Sequence, residues 1–250
     1  MVEVESFFNG NRVNMAHHPI TLVSGPPSCG KTSLLFQFAY NAAALGDANT
    51  KVVFICNRRR IESNPPHLSK ALQFSPCQCR SGIDASCDTF QRIQMKYVDD
   101  EEGIKKYFAA FHLYDTFPLA VVVDDFGDFF VERNCQERYG NPRGRDLAMV
   151  RVLALCHNAV MHANRRGPCS ILLSDTHHGE FPRLLFIYKR WVQSVFTIKG
   201  DGNGSFLLVG NCNVGSENPE RMRTAKYSIA FQYLTLEGIS EDEEIKQELI

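Results

Sequence analysis

Apolar residues fall along this chain in two kinds of run. Short continuous runs between polar or glycine-bearing breaks predict buried parallel strands. These are Ile20-Thr21-Leu22-Val23-Ser24, Lys51-Val52-Val53-Phe54-Ile55-Cys56, Leu119-Ala120-Val121-Val122-Val123 and Ser170-Ile171-Leu172-Leu173-Ser174-Asp175. A weaker alternation, Ile93-Gln94-Met95-Lys96-Tyr97-Val98, predicts another. Between them, apolar positions recur at helical spacing over 33–45, over 101–115 (Ile104, Tyr107, Phe108, Phe111) and over 146–164. In the last, Leu147, Val150, Leu153, Ala154, His157, Val160 and Met161 share the predicted face. Beyond residue 190 the pattern changes. Segments 191–199, 204–209 and 227–236 predict consecutive strands, and Asp201-Gly202-Asn203-Gly204 is a hairpin signal. Strands alternating with helices, then strands alone, predict an α/β fold. Its sheet is mainly parallel, covered by helices in three layers, with antiparallel strands at one edge.

The remaining stretches lack a period. Segment 62–88 predicts mostly loop with a short helix near 68–72. Segment 132–144 is polar, contains Gly140-Asn141-Pro142, and predicts a loop carrying Arg133, Arg138 and Arg143, with Arg145 just beyond. Residues 1–18 form an N-terminal extension whose apolar feature is Phe7-Phe8, either a partly disordered terminus or a hydrophobic hook for a partner. Residues 237–250, with Glu241-Asp242-Glu243-Glu244, predict a solvated acidic tail. That leaves 19–236 as one domain.

Composition narrows the classes. The 250 residues, 44% hydrophobic and 22% charged, are those of a soluble globular protein able to bury a core unaided. Lys+Arg 27 against Asp+Glu 28 excludes a polyanion binder by bulk charge, so nucleic-acid contact requires a local patch. No apolar run approaches the ~20 residues that span a bilayer, and the acidic start lacks a signal- or transit-peptide pattern; no membrane partner is expected. The nine cysteines are odd in number, and Cys56, Cys156 and Cys169 fall in predicted elements, which suits the reducing cytosol or nucleus. Cys77, Cys79 and Cys87 cluster as free loop thiols or, given a fourth ligand, as a zinc site, without the usual paired spacing.

The chemistry concentrates at Gly25-Pro26-Pro27-Ser28-Cys29-Gly30-Lys31-Thr32, followed by Ser33. G-x-x-x-x-G-K-T between a strand and a helix is the phosphate-binding loop of nucleoside triphosphatases. Backbone N–H groups cradle the phosphates, the Lys31 ammonium reaches the β- and γ-phosphates, and the Thr32 hydroxyl ligates Mg²⁺. Asp124 ends the third apolar run, the place of a carboxylate that holds the same Mg²⁺, so Lys31 and Asp124 are the expected catalytic pair and ATP with Mg²⁺ the cofactors. Asp125-Phe126-Gly127 spells a kinase signature without the His-Arg-Asp loop that accompanies it. It also fits a GTPase switch, without the Asn-Lys-x-Asp that reads guanine. His157 and His162 read as helix-face residues; His177 and His178 read as exposed loop residues, with phosphate or metal contact as the alternative.

The succession of phosphate loop, polar-tipped second strand, aspartate strand, long helix, Ser-Asp strand and hairpins resembles the RecA-type ATPase core over 20–236. A narrower resemblance rests on 25–35, on Val52-Val53-Phe54-Ile55 running into Arg58-Arg59, and on Arg92-Ile93-Gln94-Met95-Lys96-Tyr97. These look like the small recombinase-paralogue ATPase that partners a SWIM-domain zinc-finger protein in Shu-type complexes. That resemblance implies a nuclear role in homologous-recombination DNA repair and binding to single-stranded DNA and to recombinase filaments. By the broader likeness to a RecA-type core, the loop after the aspartate strand faces DNA, with Arg133, Arg138, Arg143 and Arg145 on phosphates and Tyr139 stacked on a base. Two departures qualify it. The water-activating glutamate of the recombinases falls by register near Arg58, which cannot act as a base, with Glu62 the substitute if the chain bends back. Asp175 stands where they carry a γ-phosphate-sensing glutamine. Hydrolysis is therefore expected to be weak. The alternative is a non-catalytic RecA-like scaffold subunit of a non-DNA assembly.

Overall fold

In a computed structural model of the chain, residues 4–8, 19–69, 87–179, 184–211 and 223–241 are described. Nine strands build one sheet: β1 (Ile20–Gly25), β2 (Val52–Cys56), β3 (Ile93–Tyr97), β4 (Ala120–Val123), β5 (Ser170–Thr176), β6 (Ser194–Gly200), β7 (Ser205–Asn211), β8 (Arg223–Ala230) and β9 (Tyr233–Glu241). Their spatial order is β3-β2-β4-β5-β1-β6-β7-β8-β9. The first six pair in parallel and the last three antiparallel, as the change in sequence pattern predicts. The helices are α1 (Lys31–Leu45), α2 (Arg58–Ser63), α3 (Asp88–Gln91), α4 (Glu101–Ala109), α5 (Arg133–Tyr139), α6 (Pro142–Ala163) and α7 (Leu185–Tyr188). None is long and apolar enough to cross a membrane.

Strand alternation splits the core into two layers, because successive side chains leave opposite faces of the sheet. On β4, Ala120 and Val122 pack toward α1, while Val121 and Val123 pack toward α4 and α6. Both faces are covered, which is why these strands read as continuous apolar runs.

The N-terminal phenylalanines belong to this core. Residues Val4–Phe7 form a 3-10 turn, Phe7 is fully buried between Phe38 (ring centroids 5.7 Å) and Phe196 (5.3 Å), and Phe8 meets Tyr227. Asn41 on α1 donates to the Ser6 carbonyl, and Arg223 pairs with Glu5. Neither a disordered terminus nor a hook for a partner describes Phe7-Phe8; the pair closes the α1 face of the sheet.

Other expectations shift for local reasons. Asn141-Pro142, read as a break, is the start of α6: the Asn141 side chain accepts from the Gly144 N–H, and proline suits the first helical turn. The polar stretch 132–144 is therefore two helices, α5 and the first turn of α6. The buried face of α6 is Ala148, Met149, Val152, Leu153, Cys156, Ala159, Val160 and Ala163, leaving the expected Leu147 and Met161 exposed. Segment 227–236 is a hairpin, not one strand: β8 and β9 join through Phe231 and Gln232 with φ of 52° and 66°. Two positive-φ residues mark a two-residue turn that usually takes Asn-Gly, so Phe-Gln hid it. The acidic tail begins as β9, whose strand runs to residue 241. Leu68 and Ser69 are extended rather than helical, the Leu68 carbonyl accepting from Leu234 N–H, and 70–72 lie outside the described residues. Cys77 and Cys79 also lie outside them. Among the described residues no three metal-binding side chains gather.

Candidate functional site

The site forms where β1 turns into α1. Gly30 sits at φ 82°, and a Cβ there would lie 2.1 Å from Ile229 Cδ1 on β8, so both the turn and the packing require glycine. From the same strand, the buried Tyr227 hydroxyl donates to the Cys29 carbonyl (2.7 Å), fastening the loop to the antiparallel half of the sheet. Lys31 is buried and folded over its own loop, its Nζ donating to the carbonyls of Pro26 (3.0 Å) and Gly25 (3.4 Å). Those bonds hold the ammonium at the loop mouth, where a phosphate can exchange with the carbonyls as its partner.

Folding brings Thr32 against Asp124, 92 positions later: Thr32 Oγ1 donates to Asp124 Oδ2 at 2.8 Å. The other carboxylate oxygen accepts from Ser174 Oγ on β5 (2.9 Å), which in turn accepts from the Asp125 N–H (2.8 Å). Burial, then the charge of Asp125, raise the Asp124 pKa to about 6, against the hydrogen bonds from Thr32 and Ser174. A hydroxyl and a carboxylate in contact at a phosphate loop are the hard oxygen donors that Mg²⁺ takes, and they fit that ion.

Gly30, Lys31, Thr32, Ser33, Asp124 and Asp125 face one cavity of about 790 Å³, within the roughly 300–1,000 Å³ of ligand pockets. Its far walls are His67, whose N–H donates to Ser33 Oγ (2.9 Å), and Phe206 with Ile229. Gly25, Cys29 and Pro26 support the loop without lining this cavity, whereas Pro27 and Ser28 form its rim.

Several expected positions resolve differently. Arg58 faces outward, paired with Glu62 at 2.9 Å and lying over the Tyr97 ring; both side chains are more than 60% exposed. Neither lines the cavity, so Glu62 does not stand in as a water-activating base. The phase of α2, capped by Asn57 on the N–H groups of Arg59 and Arg60, turns Arg60 inward instead. Arg60 and Lys31 are the only lysine or arginine among the described residues lining the cavity. Asp175 leaves the opposite face of β5 from Ser174. It lines a separate cavity of about 360 Å³, where burial raises its pKa to about 6. A Cβ on Gly127 would lie 2.1 Å from its Oδ1, so this carboxylate needs that glycine. Thr176 and His178 face the main cavity in its place. His177 is not an exposed loop residue: it is buried, its Nδ1 lies 2.7 Å from Ser24 Oγ, and burial lowers its pKa.

The chain compares with known proteins through its fold. No family model matches the sequence, and no curated protein matches it. Among solved structures, it is similar to a KaiC-like protein from the hyperthermophilic archaeon Pyrococcus horikoshii. The two superpose with a TM-score of 0.54 at 13% identity, covering 87% of this chain and 88% of that one. The fold is RecA-like.

In this RecA-like frame the expected DNA-facing loop is helical. Arg133 pairs with Glu137 (2.7 Å) along α5, and Arg138 pairs with Asp100 (3.0 Å) and Glu101 at the start of α4. Tyr139 packs against the core, Arg143 is exposed at the start of α6, and Arg145 is half-buried. None of the five lines the nucleotide-sized cavity. Sequence reasoning missed Arg60, Ser174, Thr176 and Tyr227. Asn57 as a helix cap was a readable signal for the first; the others depend on which strands become neighbours.

Proposed function

We propose that this chain binds ATP with Mg²⁺ at the loop 25–32. The observation that carries the proposal is the Thr32–Asp124 contact beside Lys31 in a cavity of nucleotide size. On binding, Lys31 exchanges loop carbonyls for phosphate oxygens, and the N–H groups at the start of α1 hold the phosphates. Thr32 and Asp124 would hold the Mg²⁺, which would supply neutralisation of phosphate charge. No glutamate lines the cavity among the described residues, and the carboxylates there are Asp124, Asp125 and Asp128. With Arg60 bound to two of them, turnover is slow. The test is equilibrium binding of a fluorescent ATP analogue with and without Mg²⁺. Thr32→Ala and Asp124→Asn should abolish the magnesium dependence; a dependence unchanged in both variants contradicts the site.

The resemblance carried by residues 25–35, 52–59 and 92–97 extends the proposal to a nuclear recombinase-paralogue subunit in homologous-recombination repair. It would bind a SWIM-domain zinc-finger protein, a recombinase filament and single-stranded DNA. With Arg133 and Arg138 held by carboxylates, Arg143 and Arg145 are the arginines left for DNA phosphates. Affinity purification from native tissue should recover a SWIM-domain protein; its absence from repeated purifications contradicts the assignment. A second reading, a non-hydrolysing RecA-like scaffold subunit outside DNA metabolism, is favoured by the lack of glutamate among the described residues lining the cavity. No turnover together with no affinity for single-stranded DNA would establish it.

A further inference from the structure

Arg60 is a cation placed in a triphosphate cavity yet spent on carboxylates. It lines the same space as Lys31, Thr32 and Asp124. Its Nη1 pairs with Asp128 and lies 3.5 Å from Asp125 Oδ2, and its Nη2 donates to Glu132 Oε1 at 2.6 Å. All three carboxylates belong to one stretch that begins directly after Asp124: Asp125, the 3-10 turn Phe126–Phe130 and the residue capping α5. One guanidinium thus faces three carboxylates, with the Asp124 carboxyl beside them. The Arg60 side chain remains 38% exposed, so it is not sealed into the cluster.

A bound nucleotide changes this balance in a way that depends on its length. The diphosphate part of any nucleotide is held by the loop and Lys31, at the α1 end of the cavity. A triphosphate adds a terminal phosphate to the cavity that Lys31, Thr32, Asp124, Asp125 and Arg60 line together. A terminal phosphate there attracts the guanidinium, which binds phosphate in the bidentate geometry it now gives to carboxylates, and repels Asp125 and Asp128. Helix α2, which follows β2, thereby meets the chain after β4 through the nucleotide.

Resting on the nucleotide-binding reading above, we propose that Arg60 is the residue by which this site distinguishes a nucleoside triphosphate from a diphosphate. It exchanges Asp128 and Glu132 for the γ-phosphate when the triphosphate binds. Arg60 is a ligand-contacting residue in this role, and the 126–139 stretch loses its tie to α2 only in the triphosphate state.

The test is calorimetric measurement of Mg²⁺–ATP and Mg²⁺–ADP affinities in the full chain for wild type, Arg60→Gln, Asp128→Asn and Lys31→Ala. Arg60→Gln should weaken ATP roughly tenfold to a hundredfold, the scale of a lost charge-assisted contact, while ADP stays within about twofold. Asp128→Asn, which keeps Arg60 and removes a competitor, should raise the ATP-to-ADP affinity ratio; it decides the matter alone if Arg60→Gln does not fold. An unchanged ratio in both variants, or an equal loss of ATP and ADP in Arg60→Gln, overturns the proposal while leaving nucleotide binding intact. If instead wild type and Lys31→Ala bind both nucleotides equally, or wild type binds neither, the nucleotide-binding reading itself falls.

Discussion

Asp175→Asn separates the geometry seen here from the role suggested by position in sequence. Asp175 is buried against Gly127 with its Oδ1 accepting from the Thr176 N–H (2.9 Å), and desolvation raises its pKa from the ordinary 3.8 to about 6. A carboxyl whose folded-state pKa lies above its unfolded value binds more protons when folded, in the window between the two. Unfolding free energy therefore falls as pH rises from about 4 to about 6, and stays lowered above that. At about 1.4 kcal/mol per tenfold in proton affinity, the ionised carboxylate costs roughly 3 kcal/mol at pH 8. Asparagine relieves that cost and keeps an acceptor for Thr176, but it can turn an N–H toward the Tyr188 hydroxyl that hydrogen-bonds to the carboxyl, which offsets about 1 kcal/mol of the relief. Asp175→Asn should thus stabilise the nucleotide-free protein by about 1–2 kcal/mol at pH 8 and by close to nothing at pH 4, read by urea unfolding at both pH values. Because the side chain faces away from the nucleotide cavity, the ratio of ATP to ADP affinity should stay as in wild type. A variant that is destabilised equally at both pH values refutes the burial argument, and a lost ATP preference restores Asp175 as the phosphate sensor.

Phe7→Ala should cost about 3–5 kcal/mol, the range for a fully buried phenylalanine, whereas the 70%-exposed Phe186→Ala should stay within about 0.5 kcal/mol in the same denaturation assay. Equal, small effects would detach the N-terminal residues from the core. Steady-state ATP turnover should fall below about 1 per second, the lower range of typical enzymes; a faster rate abolished by Asp124→Asn would show that a carboxylate in the cavity activates water efficiently. Replacing Arg143 and Arg145 with glutamine should flatten the log–log salt slope of single-stranded DNA binding by roughly 1.4, two phosphate contacts' worth; an unchanged slope removes them from the DNA surface.

The parts of this fold that could be read from sequence are those whose signal is local. The phosphate loop, the aspartate strand and the order of parallel then antiparallel strands follow from contiguous residues, since a strand covered on both faces must be apolar throughout. What escaped depends on phase or on distant neighbours. Arg58 and Arg60 differ by two positions on α2, and the Asn57 cap decides which turns inward. Asp175 and Thr176 are adjacent on β5, and strand alternation sends one away from the nucleotide cavity; which one follows from the sheet's placement, not from composition. Pro142 reads as a breaker until the cap before it shows that it opens α6. Phe7 gains its place from Phe38 and Phe196, which no local pattern announces.

Nucleotide binding at this loop requires Lys31 to move from loop carbonyls to phosphate. Isothermal calorimetry of Mg²⁺–ATP with wild type and Lys31→Ala measures that directly. Loss of the buried ammonium should weaken binding by about 2–4 kcal/mol, roughly 30- to 1,000-fold, in a variant whose unfolding midpoint without nucleotide matches wild type. Equal ATP affinity in the two proteins would contradict the assignment of this loop as the nucleotide site.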